Sequence, residues 1–124
     1  MTKDEDPINI FKPKFRTEEI LKEIRLCLDK GWTGLGYKTT EFEKAWSSYT
    51  KLPHSHFLSS NTVGLHLAFR VLGELGNWKK GDEIITTPIT FVSTNHAILY
   101  EGFKPIFADV DENLCMCPES LEKN

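Results

Sequence analysis

The sequence contains no apolar run approaching the roughly 18 residues a membrane helix needs, which sets aside a helical span and a membrane partner. No hydrophobic stretch stands behind its acidic opening, MTKDEDP, so no secretory leader is expected. It has no G-x-x-x-x-G-K-[ST] segment, which excludes a Walker-type nucleotide loop. It also lacks basic excess: 15 Lys and Arg stand against 18 Asp and Glu, interspersed, giving a formal charge of -3. A nucleic-acid partner would want a basic face, and none is expected. Cysteine is sparse. Cys27, Cys115 and Cys117 are odd in number and show no framework spacing, so free thiols in a reducing compartment, the cytoplasm, are expected. The pair Cys115-Met116-Cys117 would need two further ligands to hold a metal, nothing nearby supplies them, and no metal site is expected.

What the chain does have is an ordinary globular composition, with 40% hydrophobic and 27% charged residues. That argues against disorder, and the length suits one small domain. Residues 1–16, with Pro7 and Pro13 and little periodicity, are expected to form an arm that is extended or ordered by a partner. A helix is predicted from Thr17, with Glu18 and Glu19 at the positive end of its dipole. Ile20, Ile24 and Leu28 recur every four residues along it, and Gly31 offers a left-handed stop. After the loop GWTGLGYK a second helix is expected to begin at Thr40. Thr40 and Glu43 fit a capping box, and Phe42, Ala45, Trp46 and Tyr49 share a face.

From His54 the pattern changes to strand, helix, strand, helix, strand. The strands are expected near 56–58, at 83–86 and at 105–108. The helices carry Leu65, Ala68, Phe69 and Leu72 in the first case, and run from about Ser93 to Tyr100 in the second. Short links between such elements mean crossovers and a parallel sheet. Three strands are few for a parallel sheet, and the last residues resemble the start of another helix, so an interrupted domain is expected.

Two turns could carry chemistry. Ser59-Ser60-Asn61-Thr62 lies between a strand and a helix, where unpaired backbone N–H groups and the dipole favour phosphate. On spacing alone the turn reads first as an ordinary helix cap, because Ser, Asn and Thr are the favoured residues there. The second turn, Pro88 to Thr94, follows the next strand, on the side of a parallel sheet where ligands sit. Phe91 in it fits either a stacking ring for an aromatic cofactor or a core anchor. His54 and His56 are spaced to share one side of a strand, but no third ligand accompanies them. His66 suits packing or capping, and His96 a locally satisfied helix position.

The stretches SSNTVGLHLAFR, GDEIITTPITFVSTNHAI and GFKPIFADVD, in this order and at these gaps, resemble the DegT/DnrJ/StrS family of sugar aminotransferases. GWTGLGYKTTEFEKAW resembles the segment that precedes them in that family, and the match runs from about Gly31 onward. The resemblance implies an α/β chain: the N-terminal part of a type I aminotransferase fold, parallel β-α-β-α-β preceded by two helices. Residues 17–124 would be an incomplete N-terminal portion of the large cofactor-binding domain. It implies pyridoxal 5'-phosphate as cofactor, its phosphate held by Thr62 and the Val63 N–H, with Ser60 and Asn61 shaping the turn. Phe91 would stack on the pyridine ring, and Trp32, Thr33 and Gly34 would border the substrate.

The reaction implied is transfer of an amino group from glutamate or glutamine to a keto nucleotide-sugar, by a homodimer. Asn61 stands where the family has glycine, Gly64 where it has alanine, and Tyr37 where a proline is common. The aspartate and the lysine that engage the cofactor's ring and aldehyde in the family have no counterpart among these residues, so no catalytic residue is assigned. A family dehydratase, with histidine replacing that lysine, and a non-catalytic phosphate-binding module are the alternatives.

Overall fold

The computed structural model describes residues 11–123, and most of the 1–16 arm lies outside them. The chain divides into two compact units, residues 1–55 and 56–124.

In the first unit α1 spans Thr17–Asp29. Glu18 and Glu19 sit in its first turn, as the dipole argument requires, and Arg16 adds an ion pair to Glu19 at 3.0 Å. Its end is closed by backbone bonds from Gly31 N to Leu28 O at 2.9 Å and from Trp32 N to Cys27 O at 3.1 Å, with Gly31 at φ 65°. The second helix, α2, spans Tyr37–Thr50 and begins three residues before the expected Thr40. Thr40 is therefore no cap: its hydroxyl donates back to Gly36 O at 3.4 Å. Tertiary contact explains the longer helix, because Tyr37 OH lies 3.6 Å from Cys27 Sγ and Lys30 Nζ sits 4.0 Å above its ring. Hydrogen bonding to Cys27 raises the Tyr37 pKa. Lys38 reaches back to Glu23 at 2.6 Å and forward to Glu41 at 2.8 Å. Phe42, Trp46 and Tyr49 stack in succession, with centroids 6.3 and 6.0 Å apart.

The second unit opens on residues 56–58, which form no strand, contrary to expectation. Strand identity needs a ladder partner, and the two strands that do form pair with one another. Helix α3 spans Asn61–Gly76 and ends at Asn77 in the left-handed region, where Trp78 N donates to Gly73 O at 2.8 Å. Strands β1 (Glu83–Thr86) and β2 (Lys104–Phe107) are parallel and joined through α4 (Val92–Tyr100). Lys104 N donates to Asp82 O and Ala108 N to Thr86 O, so the even-numbered residues of β2 face β1. Pro105, between them, has its missing N–H on the other side and costs the ladder nothing. The β-α-β-α-β expectation is thus met in its last four elements, α3, β1, α4 and β2, and in the α/β class. A turn at 111–115 leads to a bridge between Val110 and Met116 and to α5 (Pro118–Leu121).

The core belongs to this unit: Ala97, Ile98, Phe103 and Ala108, with Thr86 at its edge. α3 packs on α4, and α4 on β2. At Gly73 the absence of a side chain lets Phe103 lie against α3, since a Cβ there would meet Phe103 Cζ at 3.0 Å.

Candidate functional site

The Ser59–Thr62 turn delivers its residues to the head of α3. Ser60 is the N-cap in extended backbone, and its Oγ accepts from Val63 N at 3.3 Å. Asn61 and Thr62 are the first two helical residues, whose N–H groups have no acceptor within the helix. The first turn of α3 carries no acidic residue, in contrast to α1 with two. A 16-residue helix without its own counter-anion presents the positive end of its dipole to whatever lies beyond it.

Cap and cradle are not exclusive. The Ser60 hydroxyl accepts from Val63 and still has its own hydrogen to donate outward, and Thr62 supplies a second hydroxyl. Val63 differs from expectation in that its N–H is already bonded to Ser60. This donor set fits a phosphate monoester.

Phe91 is the N-cap of α4, the helix against which α3 packs, and is 77% exposed. That exposure is compatible with a ring presented to a ligand. The loop before it is held by a residue that no motif singles out. Asn95 Oδ1 accepts from Thr86 Oγ1 at 2.8 Å, and Asn95 Nδ2 donates to Thr87 O at 3.4 Å. Thr86 is 6% exposed, so this bond also satisfies a buried hydroxyl at the end of β1.

A second polar group escaped the sequence reading. Glu101, at the C-cap of α4, has a side chain only 13% exposed. Its Oε1 lies 2.6 Å from His66 Nε2 and its Oε2 3.4 Å from Arg70 NH1, both on α3. Arg70 also pairs with Glu74 at 2.8 Å, and hydrogen bonding to Glu101 leads the causes that raise its pKa.

Trp32, Thr33 and Gly34 lie in the other compact unit, in the loop between α1 and α2. Trp32 Nε1 donates to Leu35 O at 2.9 Å and its ring lies against Gly36, so the loop is folded on itself. His54 and His56 do not share a strand side, because residues 54–58 are irregular. All three cysteines are free. Among the described residues no helix is long and apolar enough to cross a membrane.

Known proteins match this arrangement. The model of the DegT/DnrJ/EryC1/StrS aminotransferase family matches residues 14–124. The spore coat polysaccharide biosynthesis protein SpsC of Bacillus subtilis is 39% identical over 106 residues, 85% of this chain and 26% of SpsC. The chain thus spans about a quarter of the length of that relative. Among solved structures, the Streptococcus pneumoniae protein Spr1654, assigned as a sugar aminotransferase, superposes in its PLP form with a TM-score of 0.82 at 32% identity. That match covers 91% of this chain and 28% of Spr1654. Its PMP form superposes with a TM-score of 0.79. An Escherichia coli GDP-4-keto-6-deoxy-D-mannose-3-dehydratase with bound hydrated PLP shares the fold, with a TM-score of 0.76 at 24% identity over 83% of this chain and 27% of its own. The neighbours' cofactor agrees with the pyridoxal phosphate expected for the family. With all but its first 13 residues inside the family model, the chain belongs to the DegT/DnrJ/EryC1/StrS aminotransferase family.

Proposed function

We propose that this chain is the phosphate-holding N-terminal part of a pyridoxal-phosphate-dependent sugar aminotransferase. The observation that carries it is the head of α3: a capped helix N-terminus with two hydroxyls and no acidic residue in its first turn. When bound, pyridoxal 5'-phosphate supplies an aldehyde able to take up and pass on an amino group. The chain's own residues bind and orient. The N–H groups of Asn61 and Thr62 and the hydroxyls of Ser60 and Thr62 donate to the phosphate, and the helix dipole offsets its charge. Val63 joins them by exchanging its bond to Ser60. Phe91 would stack against the cofactor ring and shield one face of it from water. Trp32, Thr33 and Gly34 border the second substrate. The amino donor is glutamate or glutamine, the acceptor a keto nucleotide-sugar, and the working assembly a homodimer.

The dehydratase reading has the E. coli neighbour in its favour, which is a likeness of fold. The residue type at the covalent position, lysine or histidine, separates the two readings.

The phosphate assignment is tested by titrating the 124-residue chain with pyridoxal 5'-phosphate and with pyridoxal while following the backbone amides of Asn61, Thr62 and Val63. The phosphorylated form is expected to move these amides and pyridoxal to leave them in place. Thr62→Val, which removes one donor to a charged group, should weaken binding about tenfold. Equal response to both compounds would sink the assignment.

A further inference from the structure

The phosphate cradle and the ring-bearing residue Phe91 lie on different helices, so their separation depends on how α3 is set against α4. Besides the general packing of α3 on α4, two contacts bear on that setting. One is the apolar approach of Gly73 to Phe103, near the far end of α3 from the cradle. The other is Glu101, whose carboxylate engages His66 at 2.6 Å and Arg70 at 3.4 Å. His66 and Arg70 are four residues apart, one turn, and so present donors from the same face of α3. An ionised carboxylate only accepts, so the His66 Nε2 carries a hydrogen, and Glu101 receives a bond at each oxygen. His66 is five residues from Asn61, which is about 7.5 Å along a rigid helix. Tyr100 adds an aromatic contact to the same residue, its ring centroid 5.4 Å from that of His66.

We propose that Glu101 is a positioning residue for the cofactor-phosphate cradle: by bracketing His66 and Arg70 it sets the rotation and height of α3 relative to the helix that carries Phe91. This rests on the cradle reading above. To the packing of α3 on α4 the carboxylate adds a directional constraint, because two donors one turn apart, bonded to two oxygens of one group, define a direction as well as a distance. The carboxylate is 13% exposed, while its donors His66 and Arg70 are 44% and 61% exposed. Glu74, which also pairs with Arg70, stands on α3 itself and fixes nothing between the helices.

The test compares Glu101→Ala and Glu101→Gln in the 124-residue chain, by amide spectra without ligand and by affinity for pyridoxal 5'-phosphate. Glu101→Ala is expected to move the amides of Asn61, Thr62 and Val63 in the absence of ligand and to weaken binding about tenfold. Trp78 and Phe103 meet edge to face with centroids 5.6 Å apart, and their near-ultraviolet signal should stay unchanged. Glu101→Gln keeps the length and one accepting oxygen, and should return affinity to within about threefold of the parent. Unmoved cradle amides in Glu101→Ala, or a glutamine variant no better than alanine, overturns the proposal. Should Glu101→Ala fail to fold, His66→Gln and Arg70→Met make the same measurement from the other side, and unmoved amides in both would overturn it. A parent chain that binds no pyridoxal phosphate refutes the cradle reading instead, while the ligand-free spectra still decide the bracket.

Discussion

The two compact units are built from similar helices but are stabilised differently. Among the described residues of the first unit none is buried, although α1 and α2 both carry the apolar faces their sequences predict. Ile24 on α1 is 48% exposed and Trp46 on α2 is 48% exposed. In the second unit Ile98 is 1% exposed and Ala97 and Ala108 are fully buried. The first unit is therefore defined by local and pairwise terms: dipole-matched glutamates, the Glu23–Lys38–Glu41 cluster, the Cys27–Tyr37 contact and the aromatic stack. The second is defined by a core, with polar bonds that locate its loops. An amphipathic pattern specifies a helix and a face; burial of that face is a separate event that needs a second surface.

That contrast can be broken by experiment. The largest expected effect is Ile98→Ala, which should cost about 2–5 kcal/mol by denaturant unfolding because it leaves a cavity in a filled core. Ile24→Ala, removing a half-exposed side chain, should cost under about 1 kcal/mol. Equal costs would mean that exposure misstates where stability resides.

Next in size is a pair of glycine replacements on one helix. Gly73→Ala gains about 0.5–1 kcal/mol in helix propensity but drives a methyl into Phe103, an overpacking cost of about 1–3 kcal/mol, so a net loss in thermal stability is expected. Gly64→Ala meets only the flexible tip of Leu58, at 3.4 Å, and should raise the melting temperature. The same sign for both would remove Phe103 as the reason α3 carries a glycine.

The smallest effect lies in the first unit. Hydrogen bonding and proximity to Lys38 lower the Glu23 pKa, and the same contacts, Glu23 first, raise that of Lys38. A carboxyl whose folded pKa is depressed contributes stability above its unfolded value, near 4.5, and loses it as pH falls through the folded value. Helix content followed from pH 7 to 3 should therefore drop in the parent, and less steeply in Lys38→Met. Both groups are exposed, so salt should blunt the difference. An unchanged acid profile would show that the pair does not tie α1 to α2.

Much of this was legible in the residues. The start of α1 at Thr17, the β1 strand at 83–86, the stop at Gly31 and the turn at the head of α3 follow from dipole, period and punctuation, which act within a few residues. The misreadings share a cause. Thr40 and Glu43 look like a capping box, yet α2 begins at Tyr37, whose ring is occupied by residues seven to ten positions away. Residues 56–58 have strand composition, but a strand exists only with a neighbour. Glu101 and Asn95 are unremarkable in the sequence because their partners are 35 and 9 positions distant.

The sequence by itself determined the family, the helix limit set by Gly31, and the donor-rich, acid-free turn from Ser60 to Val63. Those depend on backbone preference, charge against a helix dipole and motif order, all written along the chain. Tertiary structure decided that Asn95 holds the loop before Phe91 to the end of β1, and that the Glu101 carboxylate joins α3 to α4. These depend on which distant groups come within bonding distance, which only the packing of β1, α4 and β2 around Ile98 fixes.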